Sequence, residues 1–171
     1  MVNKLTTNKR VDDSVWYAIA ATRILLGLIF LWAFFDKLFG LGFATPATKA
    51  WIAGGSPTMG FLKSVEGPFA DFFNSLASMP IADWLFMIGL LAIGAGLLKG
   101  IAVRLSVVAG SVLLFMMWLA SLPLKTNPVI DDHIVYIVVL LIIGLSMNHQ
   151  KWSFAPWWQK LPIVKDHAWL K

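Results

Sequence analysis

Arg23 stands inside a long apolar run, and a second apolar run is preceded by a dense polar group, Asp131, Asp132, His133 and Tyr136. Ionisable side chains are costly in hydrocarbon, and where they face a bundle interior they mark binding sites or proton routes. Asp132 and His133, adjacent in sequence, are side chains that can pass protons. Tyr136 lies four residues after Asp132 and three after His133, so the three share one helical face, and its hydroxyl can hydrogen-bond a carbonyl. Asp132 and His133 are the candidate catalytic pair. Asp131 also suits a helix N-terminus for dipole reasons alone, and it is expected to be the most exposed of the group. Arg23 lies about 12 Å into its run at 1.5 Å per residue from Val15. It either faces the bundle with a partner or snorkels to the headgroups. Gly27, one turn further on, leaves room for a ligand or a neighbouring backbone.

Several chemistries are excluded at once. The chain has no cysteine, hence no disulfide, thiolate metal site or cysteine nucleophile. One histidine with two aspartates is not a specific metal-ligand set, and no histidine pair on facing helices is available for haem, so neither metal nor haem is expected. Walker, Rossmann and Ser-His-Asp patterns are also missing.

The elements that must position these residues are membrane spans. Of 171 residues, 58% are hydrophobic and 13% charged, against about 25% charged in a soluble domain, and the mean hydropathy is +0.75. The pattern predicts a single all-α integral membrane domain, a bundle of four transmembrane helices over about residues 15–36, 80–98, 103–122 and 127–148. Asn127-Pro128 reads as a cap with proline at the first helical position, which starts the fourth span early enough to cross. Small residues recur every fourth position at the central hairpin, as Ala92, Gly96 and Gly100, then Ala102, Ser106 and Gly110, and allow close backbone approach.

Segment 40–79 is too apolar for a solvated loop. Thr45-Pro46, Ser56-Pro57 and Pro68 open short helices, and Phe69, Phe72, Phe73 and Leu76 follow the spacing of one apolar face. These pieces are expected to lie as interfacial helices on the outer surface.

Nine cations, Lys4, Lys9, Arg10, Lys99, Arg104, Lys151, Lys160, Lys165 and Lys171, fall on one side of this topology. Four, Lys37, Lys49, Lys63 and Lys125, fall on the other. The positive-inside rule puts both termini and the 149–171 tail in the cytoplasm of a cell-membrane protein, and it accounts for the net charge of +5 without nucleic acid. Trp152, Trp157, Trp158 and Trp169 suit the headgroup region. On the outer side Asp36, Lys37, Asp83, Asp131, Asp132 and His133 are level with one another.

The order Arg23-Ile-Leu-Leu-Gly27 with Asp36-Lys37, then Gly54-Gly55-Ser56-Pro57-Thr58 with Gly60-Phe61-Leu62, then Asn127-Pro128 with Asp131-Asp132-His133-Ile-Val-Tyr136 resembles the DoxX/DoxD-type membrane proteins. The resemblance spans nearly the whole chain. It implies four helices and a role as a membrane subunit of a thiosulfate:quinone oxidoreductase, with a quinone as electron acceptor and a DoxA-like second subunit as partner. In that case Lys37 and His133 hold the anion, Arg23 and Tyr136 contact the quinone head, and Asp132 relays protons. Two other functions compete: a non-catalytic scaffold that recruits a redox or thiol-handling partner, and a small-solute or proton pathway, which a homo-oligomer could supply.

Overall fold

The computed structural model describes residues 2–125 and 127–170, with side chains from Asp13 onward except that of Ala168. The described residues are helical with no strand. Helix α1 runs Val2–Phe39, and short helices α2 (Met59–Lys63) and α3 (Ala70–Leu76) follow within the long connection. The remaining long helices are α4 (Pro80–Lys99), α5 (Val103–Ala120) and α6 (Asp132–Leu145), and the tail carries α7 (Ala155–Trp158) and α8 (Pro162–Lys165). Three stretches are long and apolar enough to cross a membrane: Asp13–Phe39, Pro80–Lys99 and Val103–Ala120.

Proline starts α4 and glycine stops it, as the sequence reading expects. Pro80 occupies the first turn, and Gly100 ends the helix at φ 66°, with its N–H returning toward Gly96 and Leu97. The fourth helix differs from expectation. It starts at Asp132, not Asn127, because the Asn127 side-chain oxygen accepts the N–H groups of Val129 and Ile130, both at 2.9 Å, and closes a turn instead of opening a helix. The Trp118 indole N–H holds that turn against α5 by donating to the Val129 carbonyl at 2.9 Å. Asp131 then supplies the working cap, its carboxylate accepting from the Ile134 N–H at 3.3 Å. The helix has 14 residues, about 21 Å at 1.5 Å per residue, so the described helix alone is shorter than a bilayer core of about 30 Å.

The long helices share one core. Leu26, Phe30 and Phe34 of α1 meet Met87, Leu90, Ile93 and Leu97 of α4, Val107 and Leu114 of α5, and Leu140 and Ile143 of α6. Helices α1 and α4 cross at glycine. A Cβ built on Gly27 would lie 2.7 Å from the Leu98 nitrogen and 3.0 Å from the Gly94 oxygen, so Gly27 admits a neighbouring backbone. The hairpin row is used in part: Gly96 packs on Ser106, Gly110 faces Leu140, and Ala92 is exposed. A second small core of Leu62, Val65, Phe73, Ala77 and Ala120 fastens the connecting helices. The expected face of α3 is divided, with Phe73 buried but Phe69 and Phe72 exposed.

Candidate functional site

One layer of the bundle gives a common height. A Cβ placed on Gly110 would meet Leu140 at 3.0 Å, Ile93 at 3.3 Å and Phe30 at 3.8 Å, so side chains from all four long helices converge there. Seven residues toward the connecting-loop end, at 37, 86 and 133, stand Lys37, Phe86 and His133. Seven residues are about 10 Å of helix, and a heptad step rotates a side chain by only about 20°. These three side chains therefore lie level and keep the inward orientation of the layer below. Tyr136 is one turn deeper and packs, half-buried, against the same core as Phe86 and Trp51.

Lys37 is half-buried, with its ammonium 5.9 Å from the centre of the Phe86 ring, in reach of a cation–π attraction. It makes no direct ion pair among the described residues, although the charge of neighbouring Asp36, itself engaged by Phe43 and Ala44, reaches it. Trp51, packed on the same core, meets the exposed Trp84 edge-on with ring centres 4.7 Å apart. Phe86, Trp51 and Trp84 are absent from the sequence-level site, although heptad counting from core positions reaches Phe86.

The polar group at the head of α6 is arranged differently from expectation. Asp131 is the sheltered member and Asp132 the exposed one, at 15% and 71% of side-chain surface. His133 Nδ1 lies 2.7 Å from an Asp131 oxygen and 3.8 Å from Asp132. Among the described residues no hydrogen bond joins Tyr136 to Asp132 or His133. The three polar groups of 131–133 bring one ligand atom each within 4.8 Å of one another, but the Asp131 carboxylate already serves both His133 and the helix cap.

Two acids of the outer group hold the connection in place. Asp36, buried, accepts from the N–H groups of Phe43 at 3.2 Å and Ala44 at 3.1 Å. Asp83 accepts from the Ser56 hydroxyl at 2.9 Å, the Thr58 hydroxyl at 2.6 Å and the Thr58 N–H at 3.0 Å. Ser56 in turn caps α2 by accepting from the Met59 N–H at 3.0 Å. The Ser-Pro-Thr motif is thus a latch between the connection and α4.

Arg23 is not brought together with Lys37, His133 and Tyr136. It lies at the opposite end, level with the last turn of α4, and is 1% exposed. One terminal nitrogen donates to the carbonyls of Leu97 and, at 3.4 Å, Leu98; the other donates to those of Lys151 at 3.1 Å and Trp152 at 2.8 Å. The guanidinium thus caps α4, satisfying carbonyls that a helix end leaves without intrahelical partners, and binds the tail to it. Gly100 is needed in this node, because a Cβ there would lie 2.6 Å from the guanidinium. The Phe154 N–H donates to the Lys99 carbonyl at 2.9 Å, and the Ser153 hydroxyl donates to that of Gly100 at 2.8 Å.

Fold and site together define an all-helical, membrane-associated protein with a polar, aromatic-lined face at one end and an arginine node at the other. Compared with known proteins, the chain matches no family model, curated protein or solved structure.

Proposed function

We propose that the chain is the membrane subunit of a quinone-linked oxidoreductase acting on a small sulfur anion of the thiosulfate type. The observation that carries this reading is Lys37, a half-buried cation that makes no direct ion pair among the described residues and whose ammonium lies 5.9 Å from the centre of the Phe86 ring. Two thiosulfates joined through a new S–S bond release two electrons, and a quinone taking those electrons with two protons becomes the quinol. Lys37 attracts the anion. Phe86 and Tyr136 offer a ring face and a hydroxyl to the quinone head, and His133 exchanges protons with solvent through exposed Asp132. Arg23 is outside the reacting site in this arrangement.

In the same reading α6, lengthened by the segments on either side, makes the fourth crossing of a cell membrane. Both termini then lie in the cytoplasm, and the connecting helices lie on the outer interface. A DoxA-like subunit completes the enzyme, in keeping with the DoxX/DoxD resemblance.

The test is thiosulfate-dependent quinone reduction by membranes containing the chain and its co-purifying subunits. Lys37→Gln and His133→Gln should retain membrane abundance and lose at least tenfold in turnover. Wild-type turnover in both variants would refute the reading. A second reading, a scaffold without turnover, is favoured by the use of Arg23, Asp36 and Asp83 as backbone clasps. It predicts stable recovery of one soluble partner with no retained quinone.

A further inference from the structure

We propose that the arginine-node end carries a preformed surface for anionic phospholipid headgroups, made by the tail aromatics together with Lys99, Lys160 and Lys165. This rests on observations independent of the oxidoreductase reading. The first is a strained backbone. Trp152 has φ 47°, a region in which a bulky residue is an outlier and which persists only where surroundings enforce it. Here they do: its carbonyl is held by Arg23, and the next residues are tied to Gly100 and Lys99. The outcome of that constraint is an indole turned outward, 60% exposed, tilted against Tyr17 with ring centres 5.2 Å apart.

The second observation is height. The Phe154 N–H reaches the carbonyl of Lys99, the last residue of an apolar helix long enough to cross a membrane. The tail therefore starts where the hydrocarbon ends. Phe154, Trp157, Ile163 and Trp169 are all more than half exposed, and of these the amphipathic indoles of Trp157 and Trp169 suit the headgroup level.

The third is charge. Lys99, Lys160 and Lys165 are exposed, and none has an ion-pair partner among the described residues. Asp13 is already neutralised by Lys151 at 3.0 Å, which leaves Asp166 as the tail's own acid. Lysine stems can lie along apolar surface while their ammonium groups meet phosphodiesters. The tail is folded in place, not a loose basic arm: Val164 is fully buried, and the Trp158 indole N–H donates to the Leu170 carbonyl at 2.6 Å. Exposed rings, unpaired cations and a fixed position at the helix exit match an anionic headgroup better than a neutral one.

The experiment is native mass spectrometry of the full chain in mild detergent, supplied with equal phosphatidylglycerol and phosphatidylcholine. Wild type should retain phosphatidylglycerol preferentially. Because each lysine near a headgroup changes affinity about fivefold, the double variant Lys160→Gln, Lys165→Gln should lower the preference at least tenfold. Both lysines are exposed, so the unfolding midpoint in phosphatidylcholine should not move. Lys63→Gln, at the opposite end of the bundle, is the control and should leave the preference intact. Equal retention of the two lipids by wild type overturns the proposal. So does a preference that survives loss of both lysines, or one that falls equally with Lys63→Gln.

Discussion

Replacing Arg23 by leucine should loosen the tail before it affects anything at the connecting-loop end. The Leu97 carbonyl keeps the Gly100 N–H at 3.2 Å, so leucine leaves chiefly the Lys151 and Trp152 carbonyls without a donor. A buried acceptor left unpaired costs about 1–3 kcal/mol, and water reaching this end recovers part of the sum, leaving about 2–4 kcal/mol. At about 2–4 °C per kcal/mol for a chain of this length, the unfolding midpoint should fall by roughly 5–15 °C. Lysine offers a point charge in place of a fork. It can serve the α4 carbonyls or the tail carbonyls but not both, so Arg23→Lys should fall between wild type and Arg23→Leu. The assay is thermal unfolding in detergent by tryptophan fluorescence, together with tryptic cleavage after Lys160. Arg23→Leu with wild-type tail protection and a midpoint within about 2 °C of wild type would refute the argument. Loss of quinone retention by Arg23→Lys with the tail still protected would return Arg23 to the ligand role that the sequence resemblance implies.

Two further outcomes follow from the packing and the charges. Gly94→Ala should destabilise the bundle by about 1–3 kcal/mol through overpacking, because its methyl would lie 2.9 Å from the Leu31 nitrogen. Gly89→Ala meets no atom within 4 Å and should leave the midpoint unchanged or raise it slightly by removing backbone freedom. Equal midpoints for the two variants would contradict the close α1–α4 crossing. The Lys151 ammonium is held above its ordinary value of 10.5 by its hydrogen bond to Asp13 and by the charge of that carboxylate. A raised lysine stabilises fully below the unfolded value, and that contribution disappears as pH rises through the folded one. Fluorescence of the Trp152 region should therefore change only above about pH 10.5, and Asp13→Asn should move the change downward; a transition below pH 10 in wild type would count against the pair.

The sequence makes the central hairpin legible almost to the residue, since Pro80 and Gly100 act through local backbone chemistry that a linear reading captures. The fourth helix is misplaced by five residues, from Asn127 to Asp132, because an asparagine before proline can close a turn as readily as open a helix. The turn that wins here is held by Trp118, in a different helix and eleven residues before its acceptor Val129. The partners of Arg23 escape a linear reading for a related reason. Arg23 sits level with Leu97 and Leu98. Its acceptors in the tail are 128 and 129 residues away, and they are carbonyls, which every residue possesses and no motif records. The levels of Lys37 and His133 follow from helical rise and a heptad step only once the layer of Phe30, Ile93 and Leu140 around Gly110 is known. The exchange of exposure between Asp131 and Asp132 is not legible either, since it follows from where the cap falls.

The arginine node also has a history in time. Chains are made from the N-terminus, so Arg23 is synthesised and leaves the ribosome before the carbonyls of Lys151 and Trp152 exist. Until then the cation must be held by water, headgroups or the end of α4 alone. Its coordination is complete only once residues 151 and 152 have emerged. A product stopped anywhere before residue 151 therefore carries an incompletely bound charge at the membrane boundary, which distinguishes an unfinished chain from a finished one.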